Sequence, residues 1–229
     1  MSNYMNALYG LLLLLFAQVT IADVNVTLGQ EIAQNGTAEG VPACASCHGE
    51  AGQGNNSVGF PRLAALPTPY ILQQLNDLAD SARHNSMMSP VAGLLTPQQK
   101  RALADYYASL PVVMQTPASP TQENSMQRAG KAIATVGKLS QNLPACDRCH
   151  GVNGAGVGEQ FPPLAGQSAI YLENQLLSWK NGDRPAGALD LMPGIASQLS
   201  PQQIKEIAHY YSRLSQPIMT QSTHQGEKP

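Results

Sequence analysis

One pattern occurs twice in this chain. Pro42-Ala-Cys44-x-x-Cys47-His48-Gly49 returns as Pro144-Ala-Cys146-x-x-Cys149-His150-Gly151, at an offset of 102 residues. The likeness continues on both sides. Gly29, Ile32, Ala33 and Gly36 match Gly130, Ile133, Ala134 and Gly137. Phe60-Pro61-x-Leu63-Ala64 matches Phe161-Pro162-x-Leu164-Ala165, and Tyr70 and Leu75 match Tyr171 and Leu176. Thr96-Pro97-Gln-Gln matches Ser200-Pro201-Gln-Gln, and Tyr106-Tyr107 matches Tyr210-Tyr211. A period near 100 is too long for a solenoid repeat and indicates two copies of a whole domain. Residues 110–121 contain Pro111, Pro117 and Pro120 and read as a semi-rigid linker. The expected layout is an export signal at 1–22, domains at 23–112 and 122–216, a linker at 113–121 and a tail at 217–229.

Each copy shows the same helical signals. Thr96-Pro97 and Ser200-Pro201 pair a capping residue with proline at the first helical position. Leu103, Tyr106, Tyr107 and Leu110 then follow at helical spacing. Thr68-Pro69 opens a helix carrying Tyr70, Ile71, Leu75 and Leu78, and Ser168 opens its counterpart with Tyr171, Leu172, Leu176 and Trp179. A further helix precedes each cysteine pair, weakly patterned near 29–34 and better patterned over 124–139. No alternating strand pattern stands out. The expected fold is all-α, with Gly/Pro loops between short helices.

Cys-x-x-Cys-His is the attachment motif of a c-type haem. Two thiols one helical turn apart each add to a haem vinyl group, and the histidine that follows lies under the iron as a ligand. A thioredoxin-like redox pair would need a βαβ context, a shared four-cysteine zinc site would need both domains on one metal, and two local disulfides would leave both histidines unexplained. The duplication favours haem. Cys44, Cys47, Cys146 and Cys149 are the candidate attachment points, and His48 and His150 the candidate proximal ligands.

The sixth ligand separates a carrier from a catalyst, because an open position admits small molecules. Met88 lies eight residues before Thr96, and Met192 eight before Ser200. Each is followed closely by proline, Pro90 or Pro193. Packing is the competing role, but the shared register favours ligation. Met87 aligns with Leu191 and reads as packing or loop. Met114, Met126 and Met219 read as surface or gap filler. His84, His209 and His224 have no repeat partner, and His84 is a weak alternative to Met88. Pro61 and Pro162 are suited to accept the other histidine N–H, which orients the ring. Arg83 and Arg184 are candidates for haem propionates, with an exposed surface role equally open.

Composition narrows the class. Charged residues are 12% of 229, about half the ~25% usual for a soluble domain. Aromatics are only 5%, so large core side chains are scarce, and two haems would supply flat apolar bulk. A net charge of −2 argues against a nucleic-acid binder. At 43% hydrophobic, the chain is not disordered, and four cysteines are too few for a disulfide scaffold. The apolar run 8–16, followed by Thr20-Ile21-Ala22, reads as a secretory signal, with an uncleaved anchor as the alternative. No Lys or Arg precedes that run. The charges divide unevenly: residues 23–119 carry seven acidic and four basic side chains, and 120–229 carry eight and nine.

Over roughly 24–214 the chain resembles the dihaem cytochrome c4 family. The resemblance rests on the two Cys-x-x-Cys-His motifs, the Phe-Pro-x-Leu-Ala stretches and the distal Met followed by Pro. Phe161-Pro-Pro-Leu-Ala-Gly-Gln167 is particularly characteristic. The last dozen residues fall outside it. The resemblance implies two class I cytochrome c domains about a pseudo-two-fold axis, each wrapped around one covalent haem c. It implies Cys44, Cys47, Cys146 and Cys149 as thioether positions, and iron ligation by His48 with Met88 and His150 with Met192. It further implies a periplasmic electron carrier rather than an enzyme. That carrier would work between redox proteins such as a quinol-oxidising complex and a terminal oxidase, with peripheral membrane association a further option. The haem subunit of a dehydrogenase, such as flavocytochrome c sulfide dehydrogenase, and a dihaem peroxidase are the alternatives.

Overall fold

A computed structural model of the chain describes residues 21–112, 124–185, 187 and 189–215. The expected leader, linker and tail therefore lie almost wholly outside the described residues, as do Met114, Met219 and His224.

The described chain is a series of helices that runs through the same order twice. The first half holds α1 (Ile21–Asn35), α2 (Ala45–His48), α3 (Thr68–Ala79), α4 (Met88–Leu94) and α5 (Pro97–Ser109). The second half holds α6 (Ser125–Val136), α7 (Asp147–His150), α8 (Ala169–Asn181), α9 (Met192–Ser197) and α10 (Pro201–Ser212). No strand forms among the described residues; three isolated antiparallel bridges close loops, two of them at Asn55–Phe60 and Val157–Phe161.

Local chemistry sets the helix ends. Thr96 and Ser200 each form a full capping box with the glutamine three residues on, Gln99 and Gln203. Ser168 accepts from the Tyr171 N–H and starts α8 as the sequence suggests. The helix expected over 124–139 stops earlier, at Val136. There Gly137 adopts φ +80°, which turns the chain away, and a 3₁₀ turn at Leu139–Gln141 follows.

The first and last helices of each half cross closely. A Cβ added to Gly29 would overlap the Ala102 carbonyl, and one added to Gly130 would overlap the Glu206 carbonyl. Glycine is what allows α1 to reach α5 and α6 to reach α10. Below each crossing lies a separate core. Ile32, Leu66, Ile71, Leu103, Tyr106 and Tyr107 belong to the first, and Ile133, Leu172, Leu199, Ile204, Tyr210 and Tyr211 to the second. The adjacent tyrosines stack alike, at 5.2 Å for Tyr106–Tyr107 and 5.1 Å for Tyr210–Tyr211.

Polar groups join the halves. Arg83 donates to Tyr171 and Gln175 across the boundary, and Arg184 donates to Tyr70 and Gln74 in return. The reciprocity is that of a pseudo-two-fold axis. Arg83 and Arg184 are only 9% and 7% exposed, which excludes a solvated surface role for either.

Candidate haem sites

Each cysteine pair sits on a one-turn helix that ends on the histidine. In α2, Cys44 stands at the N-cap and His48 at the last position; Cys146 and His150 repeat this in α7. The glycine after each histidine, Gly49 at φ +80° and Gly151 at φ +78°, turns the chain sharply away. His48 and His150 are buried. Burial pushes both imidazoles below their usual pKa and favours the neutral ring, the form that ligates a metal.

The ring orientation is set from the proline loops. Nδ1 of His48 lies 2.9 Å from the Pro61 carbonyl, and Nδ1 of His150 lies 2.9 Å from that of Pro162. A carbonyl only accepts, so Nδ1 carries the proton and Nε2 keeps its lone pair for a metal. Phe60 and Phe161 lie against the histidines, with ring centroids 6.2 Å and 6.1 Å apart.

The second-half site surrounds a cavity of about 270 Å³. Cys146, Cys149, His150 and Met192 all line it, with a mainly apolar wall that includes Leu172, Leu176 and Trp179. The structure thus brings the four second-half candidates together. A flat, apolar macrocycle with a central metal and thioether links fits this donor set. In the first half Cys44 packs on the core, Cys47 is exposed, and Met88 opens α4 as Met192 opens α9. Asn85 anchors the start of α4 by accepting from the Met87 and Met88 N–H groups. Met87 is 59% exposed, so it occupies the loop surface rather than the core. His84 is exposed, and His209 sits on α10.

The other metal and sulfur chemistries do not fit. No disulfide links any of the four cysteines. Among the described residues no three His, Cys, Asp or Glu side chains gather as a metal site. Burial pushes the Cys44 thiol up and the Cys146 thiol to about 11, so neither is an activated redox thiolate.

Comparison with known proteins gives the same picture. The family model described as cytochrome c matches residues 128–215, and that described as cytochrome c oxidase, cbb3-type, subunit III, matches 27–106. A cytochrome c4 of Thiocapsa roseopersicina is 35% identical over 80% of this chain and 93% of its own length. The chain belongs to the dihaem cytochrome c4 family. It is accordingly an all-α protein of two cytochrome c domains with two covalently bound haem c groups, and an electron carrier rather than an enzyme. The solved cytochrome c4 of Pseudomonas stutzeri superposes with a TM-score of 0.70 at 29% identity, covering 81% of this chain and 98% of that one. The thiosulfate dehydrogenase electron acceptor of Thiomonas intermedia is 40% identical over 77% of this chain and 79% of its own length. A solved thiosulfate dehydrogenase of Marichromatium purpuratum gives a TM-score of 0.76 at 36% identity over 83% of this chain, which spans 40% of that longer chain.

Several functional contacts have no local signature. Arg62 is 3% exposed and sits between the halves, where its guanidinium donates to the carbonyls of Ala64 and Ala165. Burial alone lowers its pKa, to about 10. Tyr211 donates to Asp147 at 2.7 Å, whereas the matching first-half position is Ala45. Only the characteristic run ending at Gln167 hinted at a special role there. Gln167 proves to hold the main chain of Arg62.

Proposed function

We propose that this cytochrome accepts electrons from a thiosulfate-oxidising dehydrogenase in the periplasm and passes them to the next redox protein towards a terminal oxidase. The observation that carries the reading is the 40% identity to the thiosulfate dehydrogenase electron acceptor of Thiomonas intermedia. The solved thiosulfate dehydrogenase, in which a chain of this kind forms part of a longer polypeptide, supports it. Among the described residues no helix is long and apolar enough to cross a membrane. The leader at 1–22 would place the domains at 23–112 and 122–216 outside the cytoplasm.

Haem iron supplies a one-electron change between its ferric and ferrous states. The chain's part is to hold the groups. Cys44 and Cys47, and Cys146 and Cys149, are the thioether positions in this reading. His48 and His150, oriented by the Pro61 and Pro162 carbonyls, would each supply one iron ligand, and Met88 and Met192 the other. Arg83 and Arg184, paired across the axis, keep the two halves in register. Two one-electron centres on one chain match the two electrons that a dehydrogenation releases.

The test is direct reduction. Oxidised holoprotein is mixed with a thiosulfate dehydrogenase and thiosulfate, and haem reduction is followed in the visible spectrum. Reduction that requires both components supports the proposal. Reduction by a flavin-dependent sulfide dehydrogenase or a quinol-oxidising complex, with none from the thiosulfate enzyme, overturns it.

A further inference from the structure

Second-half residues do not enclose the second-half cavity alone. Tyr70, Gln73, Gln74 and Asp77 of α3, a first-half helix, line it beside His150 and Met192. These four fall at i, i+3, i+4 and i+7, one stripe of the helix. Ile71 lies on another stripe and is buried in the first half's own core, and Leu78, further along that stripe, is buried too. The helix therefore serves its own core with one face and the neighbouring haem site with the other. Of the four residues Asp77 alone carries a full charge.

The repeat is broken at this position. The residue of α8 that matches Asp77 is Ser178, which is uncharged. Symmetry thus gives the second-half haem a carboxylate that the first-half haem lacks. A nearby negative charge favours ferric over ferrous iron, because the ferric state carries one more positive charge. We infer that Asp77, although part of the first half, lowers the reduction potential of the second-half haem.

Other charges surround Asp77. Arg184 lines the same cavity, with its guanidinium 3.9 Å over the Trp179 ring, and both it and Arg83 act on Asp77. Both arginines stay in place when Asp77 alone is replaced, so the contribution of the carboxylate is read separately from theirs. Asp80, at the C-cap of α3, is exposed, and the phenols of Tyr70 and Tyr171 accept from Arg184 and Arg83. Burial is the largest influence on Asp77 and moves its pKa upward, with the two arginines opposing it. As pH falls through that pKa the carboxyl loses its charge, and the second-half potential rises. A charge count by halves would assign Asp77 to the first domain, whereas the cavity assigns its effect to the second.

Redox titration of the full-length holoprotein tests this without any partner, so its outcome is independent of the thiosulfate reading. Asp77→Asn should raise one midpoint potential at neutral pH and leave the other in place. The expected change is on the order of tenfold in that haem's reduced-to-oxidised ratio, or ~59 mV for one electron. The raised potential should also lose its acid dependence. Ser178→Asp should lower the potential of the other haem, since it supplies the missing carboxylate by symmetry. The visible spectrum of each variant reports haem loading, which separates misfolding from a shifted potential. Equal movement of both potentials in Asp77→Asn, movement of neither, or movement of the same haem in both variants would overturn the inference.

Discussion

The main chain of Arg62 is held in both directions by the side chain of Gln167. The Arg62 N–H donates to Oε1 at 2.8 Å, and Nε2 donates to the Arg62 carbonyl at 3.1 Å. Both residues are 3% exposed, and 105 positions separate them. The clasp is one-sided: the matching positions are Pro163, which has no N–H, and Leu66, which has no amide. Oε1 also accepts from the Ser168 N–H at 3.1 Å, so replacing Gln167 by Leu leaves three buried backbone groups unpaired, at about 1–3 kcal/mol each. Urea denaturation of the holoprotein should show a loss of roughly 3–9 kcal/mol. An unchanged midpoint and slope would show that water restores all three bonds.

Iron–sulfur bonding is the next measurable point. Met88→Ala and Met192→Ala should each remove half of the weak long-wavelength band that ferric haem shows when methionine is bound. Met87→Ala should leave the band intact, because Met87 is exposed on the loop. Retention of the full band in either of the first two variants would end the ligand assignment.

The helix crossing offers a stability test with a built-in control. Gly130→Ala places a methyl group against the Glu206 carbonyl, a backbone atom that no rotamer change can move aside. The expected cost is about 3 kcal/mol, read from thermal or urea unfolding. Gly194→Ala meets open space in α9, so it should be neutral or slightly stabilising. Equal effects from the two variants would mean that the crossing relaxes freely.

Haem removal should unfold the second half. With Cys146 and Cys149 both changed to Ser, the cavity of about 270 Å³ loses its covalent filling. At ~24 cal/mol per Å³ a void of that size costs about 6 kcal/mol, comparable with the whole stability of a domain. Far-UV circular dichroism should show loss of roughly half the helix signal. A variant that keeps full helicity and melts cooperatively would refute this.

The site was legible where its chemistry is contiguous. The thiols and the histidine lie within five residues, so α2 and α7 carry their ligand geometry in the motif itself. Met88 and Met192 stand out as ligand candidates because the repeat preserves their distance to the capping boxes of α5 and α10. The proline carbonyls could be expected from what an acceptor without an N–H can do. The short helices α4 and α9 left no readable periodicity. Met88–Leu94 spans only two turns and has Pro90 within its first turn, where no N–H is needed. Arg83 and Arg184 could equally have been exposed, since nothing near them in sequence names the glutamines and tyrosines they reach.

Sequence alone determined what the molecule carries: two haems, one in each half of a duplicated helical chain. Those properties follow from bonding and capping between residues within one or two helical turns, and such spacings survive in the linear order. Tertiary structure alone decided how the halves differ. Gln167 reaches Arg62, and Asp77 enters the neighbouring haem cavity, across about a hundred residues of chain. Those contacts exist because the pseudo-two-fold packing brings α3 against α8, and no local pattern records which face of a helix a second domain will cover.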